Sequence, residues 1–297
     1  MRVIPGEIIG ILGPNGGGKT TLFRILSTML RPISGSASIF GFDVVDQPHE
    51  VRAELGVVFQ TPSLDLKLTA YDNLLHHGRL YGMSHTEVRE HSVQWLERFG
   101  LGDHHRQRVD RLSGGMKRRL ELAKALLHEP RLVLMDEPAT GLDPAARREL
   151  WQLLENLRED KNITIAMTTH GIDDAERCDR VAILHRGKLI AFDSPEALRS
   201  RIGGDVLSIE PDLTDGRTAE SLAGAISERF GPWSQGEPQI VEGTIMLRRD
   251  RGAAAVAEIA SAFPDKVRAI AVRRPSLEDV FLKETGSPLW SDGQSPA

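Results

Sequence analysis

GILGPNGGGKTTLF, residues 10–23, decides how this chain is read. Within it Gly13-Pro14-Asn15-Gly16-Gly17-Gly18-Lys19-Thr20 satisfies the pattern G-x-x-x-x-G-K-[ST]. An apolar strand, EIIGIL (7–12), precedes the pattern, and TLFRILSTML (21–30) follows it as a helix. That context gives the pattern its meaning. Glycines let backbone N–H groups converge on phosphate oxygens, Lys19 adds a cation, and Thr20 offers a hydroxyl to Mg²⁺, with Thr21 beside it in the first helical turn. No G-x-G-x-x-G is present, which argues against a dinucleotide-binding loop.

A second stretch complements the first. RLVLMDEP (131–138) places Asp136 and Glu137 at the end of an apolar strand. Two adjacent carboxylates leaving a buried strand are costly unless a cation meets them, and Mg²⁺ with nucleotide phosphates would do so. In that reading Asp136 holds the metal and Glu137 polarises the attacking water as general base. Solvated carboxylates at a strand end are the plainer alternative.

Working outward, apolar runs alternate with amphipathic ones through the first two thirds, which predicts a largely parallel sheet with crossover helices. EIIGIL, GVVF (56–59), RLVLM (131–135) and ITIAMTT (163–169) are the clearest strands. VAILHRGKLIAFD (181–193) reads as a hairpin turning near Arg186-Gly187, and SPEALRSRI (194–202) as a capped helix. No strong strand falls between Gln60 and Leu112, so a helical subdomain is expected at about 61–125. Gly203-Gly204 marks a boundary that closes a nucleotide-binding domain, 1–204. Beyond it come strand (206–209), helix (218–230), a hairpin (239–248) turning at Glu242-Gly243, helix (253–263) and strand (267–273). That βαββαβ order predicts a ferredoxin-like module over 205–285. Glu278-Asp279 read as exposed acids at a helix start, and 286–297 as a disordered tail. The fold class is thus α/β, a phosphate-loop NTPase core with a helical subdomain, plus a small α+β module.

Bulk properties narrow the function. Residues 1–204 carry 27 Lys/Arg and 27 Asp/Glu, and 205–297 carry 10 and 15, so the net charge of −5 comes from the second part, which argues against a basic nucleic-acid tail. Cys178 is the only cysteine, which rules out an intrachain disulfide and reads as a small buried hydrophobe. No apolar run approaches the ~18 residues of a membrane helix.

Four further motifs identify a family. VVFQ (57–60), LSGGMKRRLELAKALLHEP (112–130), ATGLDP (139–144) and TTH (168–170) resemble the Q-loop, signature, D-loop and H-loop of ABC-transporter ATPases, in matching chain order. The resemblance covers about residues 4–200. RRPSLEDVFLKETG (273–286) is similar to the tail of the drug, antibiotic and polysaccharide exporter branch, including daunorubicin-resistance ATPases. It implies an ATP-binding, ATP-hydrolysing subunit that acts as a homodimer on the cytoplasmic face of the membrane, held there by a separately encoded permease. Each composite site is expected to combine Gly13 to Thr21, Asp136, Glu137, Gln60 and His170 of one chain with Ser113 and Gly115 of the other; Gly114 is expected among the nucleotide-binding residues, and Asp143 to communicate between the two ATP sites. Gln60 and Thr20 join Asp136 at Mg²⁺, and His170 contacts the γ-phosphate.

The residues themselves support several of these roles. Ser113 can N-cap a helix whose apolar Met116, Leu120, Ala123 and Leu127 recur at helical spacing, and Asp143-Pro144 is a good helix start whatever its function. Lys117, Arg118 and Arg119 lie near the positive end of that first helix dipole, where an anion is welcome; alternatively they form a solvated face with Lys117 pairing Glu121. Met116 stands where Gln is usual in the family. The family also has an upstream antiparallel segment with an adenine-stacking aromatic. Only Arg2-Val3-Ile4-Pro5 and no aromatic precede GEIIGIL here, so part of the pocket is expected upstream of Met1. Two rivals remain at this level: a soluble ATP-dependent clamp acting on ribosomes or DNA, and an ATP-binding regulator with little turnover. A single phosphate loop and no coiled coil or zinc motif argue against the first, and Glu137 against the second.

Overall fold

A computed structural model describes residues 1–212, 218–230 and 238–289. Its contacts divide the chain into two units, Met1–Phe192 and Asp193–Ala297.

In the first unit the order is β1 (Ile8–Leu12), α1 (Lys19–Leu26), β2 (Ser38–Ile39), β3 (Phe42–Asp43), α2 (Pro48–Ala53), β4 (Leu55–Val58), α3 (Ala70–Leu80), α4 (His85–Arg98), α5 (Gly114–Leu126), β5 (Leu132–Asp136), α6 (Pro144–Lys161), β6 (Thr164–Thr169), α7 (Ile172–Glu176), β7 (Arg180–His185) and β8 (Lys188–Asp193). The main sheet runs β4-β5-β6-β1-β7-β8, parallel from β4 through β7. β1 and β6 are buried at every position, as expected of strands covered on both faces. Ile9, Leu55, Leu134 and Ala166 from the sheet pack with Phe23 of α1 and Val51 of α2. Burying each larger apolar side chain contributes roughly 1.5–3 kcal/mol. β7 and β8 meet through Arg186 and Gly187, both at positive φ, the geometry that matches the strand twist in a two-residue hairpin loop.

Gly10 makes room for the sole cysteine. A Cβ added there would lie 3.0 Å from Cys178 Sγ. The thiol is 4% exposed and donates to the Asp174 carbonyl at 3.3 Å.

Between Gln60 and Leu112 the regular elements are helices, joined by loops and one isolated bridge between Thr69 and Arg108. Both long helices there begin with reciprocal caps: Thr69 with Asp72 for α3, and Ser84 with Glu87 for α4. Each such cap is worth about 1 kcal/mol. A ring cluster joins α3 to the end of α5. Tyr81 stacks on His128 at 3.8 Å between centroids and lies 4.9 Å from His77. Burial, reinforced by Lys124 and His128, pushes the His77 pKa down to about 3. Burial pushes His128 down to about 4 against the opposing bond to the Leu55 carbonyl.

The second unit contains α8 (Pro195–Ser200), β9 (Asp205–Pro211), α9 (Ala219–Phe230), β10 (Gln239–Val241), β11 (Thr244–Arg249), α10 (Gly252–Ala262), β12 (Val267–Arg273) and α11 (Leu277–Thr285). Its antiparallel sheet has the order β10-β11-β9-β12. Leu207, Ile209, Ile245 and Leu247 of that sheet form one core with Leu222 and Ile226 of α9, Ile259 of α10 and Phe263 directly after α10. The units divide at Phe192/Asp193, upstream of Gly203-Gly204, and α8 packs within the second unit against α11.

Two expectations for the C-terminal end are corrected. Asp279 is 6% exposed and buried rather than a solvated helix-start acid. Both Arg273 guanidinium Nη atoms donate to it, Nη2 at 2.7 Å, and the Ser276 N–H and hydroxyl donate at 2.7 and 2.9 Å. Burial alone would raise its pKa, but Arg273 and Ser276 outweigh burial and hold it below the ordinary range. Residues 286–289, expected to open a disordered tail, are structured. Gly286 closes α11 at φ 70°, and Leu289 is 1% exposed. Residues 290–297 lie outside the described residues.

Candidate functional site

Four adjacent strands, β4-β5-β6-β1, deliver the predicted residues from their C-terminal ends. Gln60 follows β4, Asp136 ends β5 with Glu137 directly after it, His170 follows β6, and Gly13 to Lys19 connects β1 to α1. Outside the carboxyl ends of parallel strands is where open α/β sheets bind ligands.

Glu137 is the point of convergence. Gln60 Nε2 and Thr140 Oγ1 each donate to its Oε2 at 3.2 Å. His170 Nδ1 lies 3.2 Å from the same oxygen, and Lys19 Nζ lies 3.8 Å from Oε1. Glu137 sits at φ 47°, a left-handed conformation that costs a non-glycine residue about 1–2 kcal/mol. Its N–H is held by Thr168 Oγ1 at 2.9 Å and the Thr168 carbonyl at 3.2 Å.

The β5/β6 register sets Asp136 opposite Thr168. Thr168 Oγ1 donates to Asp136 Oδ1 at 2.5 Å while accepting from Glu137 N–H, so one buried hydroxyl orients both acids. Asp136 is 8% exposed. Lys19, also buried, donates through Nζ to the Gly13 and Pro14 carbonyls at 2.7 and 3.1 Å. Burial lowers its pKa, and the Glu137 and Asp136 carboxylates pull the other way.

The loop around Lys19 is built for an anion. Gly16 and Gly18 take φ of 76° and 103°, open to glycine at little cost. Gly18 caps α1 without a side-chain bond, and no acid sits in the first turn. The helix therefore presents unsatisfied N–H groups and its positive dipole end. Thr20 and Thr21 are exposed on that turn, as is Asn15 on the loop. Asp136, Thr20 and Gln60 supply the hard oxygen donors that suit Mg²⁺, and the glycine cradle suits phosphate.

Ser113, Gly114, Gly115 and Asp143 form a second group. Ser113 caps α5 by accepting from Met116 N–H at 3.2 Å, and Gly114 and Gly115 are the first helical residues. Asp143 caps α6 by accepting from Ala145 and Ala146 at 2.9 Å each. A Cβ on Gly115 would lie 3.8 Å from Ala146 Cβ, so the two helix starts adjoin. Ser113, Gly114 and Asp143 are exposed.

Sequence reasoning passed over Thr168, Thr140 and the role of Arg118. Each sits inside a motif that it did read, and a polar residue at a strand position expected to be apolar was the available signal for Thr168. Glu121 pairs with Arg118 at 3.0 Å, rather than with the Lys117 expected from helical spacing.

Comparison with known proteins bears on the family. A family model described as ABC transporter matches residues 1–140. The chain is 36% identical over 291 residues to the daunorubicin/doxorubicin resistance ATP-binding protein DrrA of Streptomyces peucetius, covering 97% of this chain and 87% of that one. It is 38% identical over 297 residues to the Nod factor export ATP-binding protein I of Rhizobium etli, covering 97% and 88%. Among solved structures, cbiO1 from Clostridium perfringens, part of the ABC transporter complex cbiONQ, aligns with a TM-score of 0.63 at 27% identity, covering 77% of this chain and 86% of that one. The ATP-binding cassette MJ0796, in a dimeric post-hydrolysis state bound to ADP and Pi, aligns with a TM-score of 0.58 at 28% identity, covering 65% and 88%.

Proposed function

The chain belongs to the family of ABC transporter ATP-binding proteins, and from that membership we propose that it powers export by hydrolysing ATP in two sites shared between two copies. The observation that carries the hydrolytic role is the convergence of Gln60, Thr140, His170 and Lys19 on Glu137, beside an uncapped helix start after a glycine loop.

ATP phosphates meet the α1 N-terminus and Lys19. Thr20, Gln60 and Asp136 would hold Mg²⁺, which would supply charge neutralisation on those phosphates. Glu137 accepts the proton of the attacking water. Three groups already contact its Oε2, whereas Oε1 has the Lys19 cation 3.8 Å away, so Oε1 is the proton acceptor when Lys19 turns to phosphate. Thr168 keeps Asp136 and Glu137 in fixed relation, which preorganises the site at no cost during the reaction.

Ser113, Gly114, Gly115 and Asp143 serve the partner's nucleotide in this reading. Their exposure at two adjoining helix starts supports it, as does one phosphate loop and one LSGG segment per chain. The dimeric MJ0796 cassette and the assignment of cbiO1 to a multi-component transporter complex support a homodimer acting with a separate permease on the cytoplasmic face of the membrane. No helix among the described residues is long and apolar enough to cross a membrane. The export and resistance roles in the relatives' names favour this reading over a ribosome or DNA clamp. The β10-β11-β9-β12 order with two helices supports reading residues 205–285 as a ferredoxin-like accessory module.

The test is ATP binding and turnover by the purified chain and its variants. Glu137→Gln is expected to bind ATP as wild type does and to hydrolyse it at least about 10²-fold more slowly. Ser113→Arg is expected to bind ATP and yet turn over poorly, with activity reappearing in mixed dimers with Lys19→Ala, which hold one undamaged composite site. Near-normal turnover by Glu137→Gln would remove the general-base assignment, and wild-type turnover by Ser113→Arg alone would remove the shared sites.

A further inference from the structure

α5 carries a polar feature that the chemistry above leaves unused. Arg118, Glu121 and Lys124 recur every third residue and so share one face of the helix. That face is buried: Glu121 is 2% exposed and Lys124 9%. Three charges in a row on a buried face are costly, and stability alone is served as well by apolar residues of similar volume.

Their partners lie on segments that carry the site. Arg118 Nη1 donates to the Phe59 carbonyl and to Glu121 Oε2, each at 3.0 Å. Its Nε reaches the Pro138 carbonyl at 3.0 Å and its Nη2 the Glu137 carbonyl at 3.3 Å. Glu121 Oε1 accepts the Ser63 N–H at 2.8 Å. Lys124 Nζ donates to the Ser63 carbonyl at 2.6 Å and hydroxyl at 2.7 Å. Phe59 immediately precedes Gln60, and the N–H, carbonyl and hydroxyl of Ser63 just beyond it are all engaged by α5. The backbones that aim Gln60 and Glu137 are therefore both pinned to one helix, and that helix starts at the Ser113 cap.

We infer that Arg118, Glu121 and Lys124 are positioning residues that hold the Gln60 loop and the Glu137 backbone in register with α5, so that a change at either is passed to Ser113 at the head of the helix. The inference rests on the ATPase reading and adds a route by which one pocket informs the group presented to the other. It predicts a specific kinetic pattern. Displacing a reacting group by about 1 Å can cost about 10²-fold in rate, whereas phosphate binding through the glycine loop and Lys19 needs none of these three side chains.

Glu121→Ala, Lys124→Met and Lys124→Arg, in the full chain, test it beside Lys19→Ala. Two readouts are needed: kcat and KM for ATP, and amide hydrogen exchange across residues 59–64 without nucleotide. Glu121→Ala and Lys124→Met are expected to lower kcat by about tenfold or more with KM within about threefold, and to lose protection at Ser63 while other segments keep theirs. Lys124→Arg, which keeps a donor, is expected to recover most of both. A kcat within about twofold of wild type, wild-type protection of 59–64 in a slow variant, or protection lost throughout the chain overturns the inference. Where the first two variants do not fold, Ser63→Ala decides on the same readouts, with a smaller fall in kcat expected and none overturning the inference. Wild-type turnover by Lys19→Ala instead overturns the ATPase reading itself, independently of the exchange result.

Discussion

In residues 1–192 the buried charges are many: Lys19, Glu121, Lys124, Asp136 and Asp174 are each less than a tenth exposed, and the first four lie in or beside the candidate site. In residues 193–297 Asp279 is the buried charged side chain among the described residues, and the core is otherwise Leu, Ile, Val, Ala and Phe from a sheet and its helices. Both units bury apolar surface enough to fold, so the difference lies in what the polar burial is for. In the proposed reading the first unit uses it to aim groups at a substrate. In the second, Asp279 joins the end of β12 to the start of α11 through Arg273 and Ser276, which is an architectural task. Structure-stabilising and substrate-aiming charges are told apart by whether their partners also bear on an open site.

That distinction can be broken at its strongest point first. Thr168→Val removes one hydroxyl at nearly constant volume. It should cost about 1–3 kcal/mol in stability because Asp136 loses its donor, and also slow ATP hydrolysis by at least about tenfold. Equal loss of stability with unchanged turnover, by denaturant titration and phosphate release, would mean that Thr168 belongs with the architectural group. Asp279→Ala should lower stability by about 2 kcal/mol, through the lost helix cap and the uncompensated Arg273, with ATP affinity unchanged. A weakened nucleotide affinity in that variant would erase the contrast between the units.

The same contrast extends to a pH dependence carried by two buried rings of the first unit. His77 and His128 have folded pKa values of about 3 and about 4, below the ordinary 6.5. The unfolded chain therefore binds protons below pH 6.5 that the folded chain refuses. Their contribution is complete above 6.5 and is lost as pH falls toward 4, by at most about 1.4 kcal/mol per pH unit for each ring and less where water reaches it. Urea midpoints at pH 7 and pH 5 measure the slope. His77→Phe and His128→Phe should flatten it, and an unaltered slope in both would place the acid sensitivity elsewhere.

Much of the architecture was legible because it rests on local rules. The strand at 131–135 appears at Leu132–Asp136, the Arg186-Gly187 turn is where positive φ is needed, and Ser113 and Asp143 cap the helices they precede. Glycine spacing and the DEP segment likewise exposed the loop and both acids, because their chemistry dictates residue type. What escaped was tertiary. Ser38–Ile39 and Phe42–Asp43 are too short to show a period. Glu121 and Lys124 carry charges that any pattern rule sends to solvent, and their burial makes sense only once Ser63, distant in sequence, lies against them. Asp279 was misread for the same reason, since β12 supplies its cation.

Cys178 gives the molecule a built-in reporter. Burial, with Asp174 and Asp179 nearby, pushes its thiol pKa well above the usual range, so the folded protein holds almost no thiolate. With no other cysteine in the chain, a thiol reagent meets a silent background while the contact between Gly10 and Cys178 stays closed. Modification then proceeds at a rate set by how often that contact opens, and a single cysteine introduced at an exposed position can carry a spectroscopic label with the natural one left in place.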